Sequence, residues 1–110
     1  MAYVPERGDA VWLDFEPRMG HEQRGRRPAV VLSPAAYNLK VGLLLACPVT
    51  SQVKGYPFEV ELPAGLPISG VILSDQVKSL DWRARRTELI CRLPRSATDA
   101  VLGLLGALLK

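Results

Sequence analysis

Gly20-His-Glu-Gln-Arg-Gly-Arg-Arg-Pro-Ala-Val-Val-Leu-Ser33 joins a charged, glycine-broken turn directly to an apolar run. Gly20 and Gly25 allow the backbone to bend where a Cβ would clash, and Pro28 sets the entry into the following segment. Such a turn presents Arg24, Arg26 and Arg27 to an anion, and the planar guanidinium fork matches phosphate oxygens well. Judged on charge pattern alone, the same residues also read as an ordinary solvated turn. Ala29 to Ser33 is the firmer signal. It is dense in β-branched residues and fits a strand buried on both faces.

The neighbouring segments extend that reading. Asp9 to Phe15 alternates, with Val11, Leu13 and Phe15 on one face against Trp12 and Asp14, which predicts a half-buried strand. Trp12, opposite the core face, is placed at a subunit seam. Val41 to Val49 predicts a second central strand, reached through the turn-like Pro34-Ala-Ala-Tyr-Asn-Leu-Lys40. Pro57 to Leu62 alternates again, with Phe58, Val60 and Leu62 inward. After the breaker Pro63-Ala-Gly-Leu-Pro67, Val71-Ile-Leu73 and Thr87 to Leu93 supply further strands. Five to seven short strands linked by glycine and proline turns predict a mainly β fold, a small and strongly curved barrel.

The C-terminus alone reads as helix, over Ala100 to Leu109, with Ser96 as N-cap and Asp99 three residues on. Val101, Leu102, Leu104, Leu105, Leu108 and Leu109 cover more than one face of it. A helix with so little polar surface needs a second covering beyond its own core, which predicts a homodimer or a bound partner chain.

Composition narrows the chemistry. A chain of 110 residues is expected to form a single domain over 1–110. Met1 to Arg7 lacks the hydrophobic block of a secretory signal and no apolar run spans a bilayer, so a cytoplasmic protein is expected, with no membrane partner. Cys47 and Cys91 lie in separate apolar segments and read as buried free thiols. A net charge of +3 tilts the partner list toward anions without deciding it. One histidine, no carboxylate cluster at ligand spacing, no phosphate-cradling glycine loop and no dinucleotide fingerprint speak against a metal-dependent nuclease or a nucleotide hydrolase. Neither a metal nor a cofactor is expected. Catalysis by positioned side chains remains. RNA makes that sufficient, because its own 2′-hydroxyl attacks the adjacent phosphate once a base takes the proton and a cation stabilises the phosphate oxygens.

Five motifs then follow in one order: Gly8-Asp-Ala-Val-Trp-Leu-Asp-Phe15, the Gly20 to Ser33 segment, Pro48-Val-Thr-Ser51, Lys54-Gly-Tyr-Pro-Phe58 and Asp75-Gln-Val-Lys-Ser79. In this the chain resembles the MazF/PemK family of toxins, from about Tyr3 to Arg85. The resemblance implies a small β-barrel related to the SH3-like and CcdB-type toxins, and a homodimer. It implies sequence-specific, metal-independent cleavage of single-stranded RNA, including mRNA, to 2′,3′-cyclic phosphate and 5′-hydroxyl ends. It further implies a MazE-like antitoxin whose tail blocks the groove, and a toxin–antitoxin complex that binds its own promoter DNA.

Matched residue by residue, the resemblance places the catalytic arginine at Arg27 and the catalytic hydroxyl at Thr50. Glu22 takes the supporting acidic position, as general base or orienter of Arg27, and His21 is the alternative base. RNA contacts are expected from His21, Gln23, Arg24 and Arg26 in the basic loop. The amide, cation and aromatic ring of Ser51, Gln52, Lys54 and Tyr56 suit unpaired bases. Gln76 and Lys78 read equally as groove residues or as solvent-facing strand residues. Trp82 with Arg83, Arg85 and Arg86 reads as a backbone-phosphate contact or as a polar edge. The competing function class is a non-catalytic module of the same fold, a nucleic-acid binder or a CcdB-like protein that grips a target such as a topoisomerase.

Overall fold

The computed structural model describes residues 2–15 and 25–110. His21, Glu22, Gln23 and Arg24 lie outside the described residues. The chain runs β1 (Asp9–Asp14), β2 (Arg26–Val31), α1 (Ala35–Val41), β3 (Leu43–Thr50), β4 (Glu59–Glu61), β5 (Val71–Leu73), β6 (Lys78–Asp81), β7 (Glu88–Arg92) and α2 (Arg95–Leu108). All strand pairs are antiparallel, in the order β4-β5-β3-β2-β1-β7, with β6 also on β3. This is the mainly β architecture with a C-terminal helix that the alternation and the turn residues predict, at the upper end of the expected five to seven strands; β6 is the strand that the alternation does not single out.

β3 organises the sheet. One edge carries β2; the other carries β6 along Leu43 to Ala46 and β5 along Val49 and Thr50. Changing partner partway along one strand forces the sheet to coil. Two cores result, one on each face of β3. The first holds Ala10, Val30, Cys47, Val49, Ile72 and Leu93 beneath Ala97 and Val101 of α2. The second holds Val11, Leu13, Phe15, Ala29, Val31, Leu44, Ala46, Leu80 and Trp82. Leu44 and Ala46 of β3 thus enter the second core while Cys47 and Val49 enter the first, as alternation requires where both faces are covered; Leu45, at the other end of the strand, is exposed.

Three expectations need correction. Pro34 to Lys40 is not a turn: Ala35–Val41 is helical. Seven residues are too few for a periodic signal, and tertiary contacts supply the reason for the helix. The buried Asn38 amide donates to the carbonyls of Pro5 (2.8 Å) and Ser33 (3.1 Å), and its oxygen accepts from the Ser33 hydroxyl at 2.6 Å. The Glu6 carboxylate accepts the Ala35 N–H at 2.8 Å, while Gly42, at φ 81°, closes the C-terminus in the left-handed region. Next, Ser96 is not the cap of the last helix. α2 begins after Pro94, whose φ of −59° suits helix entry, and no side chain caps it. Finally, Trp82 is neither edge nor phosphate contact. It is buried in the second core, and its indole N–H donates to the Asn38 carbonyl at 2.9 Å.

The alternation places Trp12 as read, opposite the core face. Trp12 is 39% exposed on the solvent side of β1. Leu108 and Leu109 at the end of α2 are also exposed, at 49% and 77%. Cys47 is buried and Cys91 partly so, and both are free thiols. Burial pushes the Cys47 thiol up to about 12, so it is no nucleophile at neutral pH. Among the described residues no helix is long and apolar enough to cross a membrane.

Candidate functional site

Strand alternation decides where Arg27 stands. It pairs with Leu13 of β1 and shares the face of Ala29 and Val31, all members of the second core. The β2–β3 ladder joins Ala29 to Pro48, Val30 to Cys47 and Val31 to Ala46. Two residues beyond its end, on the same face and at the same end of the sheet, stand Arg27 on β2 and Thr50 on β3. Lys78 joins them from β6: it pairs with Ala46, and its ammonium lies 5.6 Å from the centroid of the Phe15 ring. The second core therefore opens, at one end, onto a hydroxyl and two exposed cations.

Thr50 is tightly placed. Its hydroxyl oxygen accepts the Gln52 N–H at 3.1 Å, which leaves the O–H proton available to donate. Its backbone packs against Gly70, where an added Cβ would sit 2.2 Å from the Thr50 carbonyl oxygen and where φ is +115°. Gly70 is a positioning residue that the breaker pattern of the sequence does not single out.

The loop after β3 is held by carboxylates. Glu59 accepts the N–H groups of Lys54 (3.0 Å) and Gly55 (2.8 Å), and the Tyr56 hydroxyl donates to Asp75 at 2.7 Å. The bond to Asp75 raises the Tyr56 pKa, so the phenol stays protonated. Thr50, Gln52, Lys54, Tyr56 and Gln76 line one cleft of about 110 Å³ together with Glu59 and Leu73. Ser51 lies beside it on the surface. Glu59 and Asp75 escape a reading for cations and aromatics because carboxylates near RNA look unfavourable. Their role is visible only as hydrogen bonds to the loop.

Arg26, Arg83, Arg85 and Arg86 are engaged within the fold. Arg26 faces away from Arg27 and pairs with Asp14 (3.3 Å) and Glu88. Arg85 donates to the backbone carbonyls of Asp14 (2.8 Å) and Phe15. Arg86 bonds the Asp14 carboxylate at 3.0 Å and 3.3 Å, and with Arg26 holds that carboxyl below its ordinary range. Arg83 stacks 4.6 Å over Trp82, near Gly42 and so at the far end of β3 from Thr50. No group of three His, Cys, Asp or Glu side chains is placed to hold a metal ion among the described residues.

An arginine and a hydroxyl on one open face, beside a cleft with an aromatic wall, can grip a phosphodiester and seat a neighbouring base. Known proteins share this arrangement of chain. The chain is 60% identical to the endoribonuclease toxin MazF of Escherichia coli K12 over 83 residues, 76% of this chain and 74% of that one. The crystal structure of MazF from Deinococcus radiodurans superposes with a TM-score of 0.90 at 60% identity, covering 98% of each chain. A MazE–MazF crystal structure from the same organism gives a TM-score of 0.88 at 56% identity, covering 98% of this chain and 97% of that one. A family profile matches residues 6–109, nearly the whole chain; the chain belongs to the PemK-like, MazF-like toxins of type II toxin–antitoxin systems.

Proposed function

We propose that this chain is a cytoplasmic endoribonuclease toxin that cuts single-stranded RNA through the RNA's own 2′-hydroxyl. The observation that carries the reading is the shared face and strand end of Arg27 and Thr50. In the reaction the 2′-oxygen attacks phosphorus and the bond to the 5′-oxygen breaks. The 2′ proton passes to a base, for which Glu22 and His21 are the candidates, and the leaving 5′-oxygen takes a proton from Arg27 or from solvent, to which the base returns its own. Arg27 stabilises charge on the phosphate oxygens, and Thr50 donates a hydrogen bond to the same phosphate. The products are a 2′,3′-cyclic phosphate and a 5′-hydroxyl.

The cleft beside Thr50 supplies base recognition through Gln52, Lys54, Tyr56 and Gln76, and Lys78 adds a phosphate contact. The working form is a homodimer, with exposed Trp12 and the apolar end of α2 as surfaces to be covered. A MazE-like antitoxin is the inhibitory partner, a reading supported by the MazE–MazF complex of the Deinococcus relative; we infer further that this chain together with its antitoxin binds its own promoter DNA. Incubation with a long single-stranded RNA in EDTA tests the activity. Discrete fragments ending in cyclic phosphate are expected; binding without any cleavage would reduce the chain to a non-catalytic module.

A further inference from the structure

Arg26 and Arg27 are identical side chains on consecutive residues of a strand, so alternation must send them to opposite faces. A one-residue slip at the start of β2 would exchange them. The β2–β3 ladder ends at Ala29 and gives no grip on these two positions. The β1–β2 pairs Leu13–Arg27 and Asp14–Arg26 set the register there, and side chains on the outer face reinforce it. Asp14, paired with Arg26 across β1 and β2, receives Arg26 Nη1 at 3.3 Å, Arg86 Nε at 3.0 Å and Arg86 Nη2 at 3.3 Å. Glu88 of β7 takes the second terminal nitrogen of Arg26. Arg85 donates to the carbonyls of Asp14 and Phe15, so the turn before β7 grips the end of β1 through both backbone and side chain. Arg86 holds this position at a φ of 53°, the single non-glycine residue in the left-handed region among those described.

We propose that Asp14, Arg86 and Glu88 are positioning residues for RNA cleavage: by holding Arg26 on the outer face they leave Arg27 on the face of Thr50. The inference rests on the endoribonuclease reading of that face. It also separates two arginines that chemistry alone treats as equals. The Asp14 carboxyl is held below its ordinary range by Arg86 and then Arg26, so Asp14 stays ionised throughout the neutral range.

Steady-state cleavage of a single-stranded RNA by this chain tests it, at a temperature where circular dichroism shows each variant folded. Asp14→Asn is expected to lower kcat about tenfold with KM within about twofold, since misplacement of a catalytic group acts on the chemical step. Asp14→Glu retains most of the rate. Arg86→Gly removes the guanidinium at a backbone angle glycine accepts, and lowers kcat likewise. Combining Asp14→Asn with Arg27→Ala adds no further loss, because the first change acts through the second residue. Wild-type rates for both Asp14→Asn and Arg86→Gly overturn the proposal. So does a loss from Asp14→Asn that persists in full on the Arg27→Ala background. Wild-type cleavage by Arg27→Ala alone overturns instead the reading of the site beneath it, so the two failures are distinguishable.

Discussion

The two ends of β3 are built for different tasks. At the Leu43 end, Asn38, Ser33 and Trp82 are buried, and every polar atom named there finds a partner within the chain. At the Thr50 end, Arg27, Gln52, Lys54, Gln76 and Lys78 are exposed, and the fixed bonds run mainly to backbone through Glu59. One end is a closed hydrogen-bond network and the other an open set of donors beside a firm frame. A site of that kind keeps its donors open because the frame around it is held elsewhere.

Substitutions at the two ends should therefore fail in different ways. Arg27→Ala should lower kcat/KM for RNA roughly 10²- to 10³-fold, the usual loss when a stabiliser of transition-state charge is removed, with the melting temperature nearly unchanged. Asn38→Ala should do the reverse. It strands the Ser33 hydroxyl and two carbonyls and opens a cavity, lowering stability by about 2–4 kcal/mol in urea unfolding while the folded fraction still cleaves. Gly70→Ala tests the frame between them. A Cβ 2.2 Å from the Thr50 carbonyl must displace the strand end, and a loss on the order of 10- to 100-fold in kcat is expected at fixed temperature.

The smallest effect concerns pH. Asp14 is lowered first by its bond to Arg86 and then by Arg26; Glu6 is lowered by the N–H groups of Ala35 and Arg7. Folding lowers both pKa values, so the unfolded chain takes up these protons first as pH falls. Their stabilisation is complete above the ordinary carboxylate values of about 4 and is lost as pH falls below them through the folded values. Asp14→Asn should flatten the acid limb of a plot of melting temperature against pH without moving the neutral plateau's shape.

Much of this contrast was legible in the residues, and the rest has a physical reason for being hidden. The alternation of Val11, Leu13 and Phe15 and the dense runs in β2 and β3 report burial directly, because side-chain period and burial are the same fact in a strand. Helix α1 was hidden because its cause is Asn38 contacting Pro5 and Ser33, a tertiary event with no local period. Trp82 misled for a related reason: three arginines around it set the local polarity, while its ring turns into the second core. Family resemblance singles out Arg27 and Thr50; that they share a face follows only from the register of β2 with β1 and β3. Gly70, Glu59 and Asp75 act on backbone or on a single hydroxyl, a role that residue type does not advertise.

The most direct test of the central claim is a double-mutant cycle on Arg27→Ala and Thr50→Ala, read as single-turnover formation of 2′,3′-cyclic phosphate ends in EDTA. If both side chains act on one phosphate, each single variant is strongly impaired and the double variant loses far less than the product of the two losses. Losses that multiply in full, or a wild-type rate for either single variant, would contradict the account.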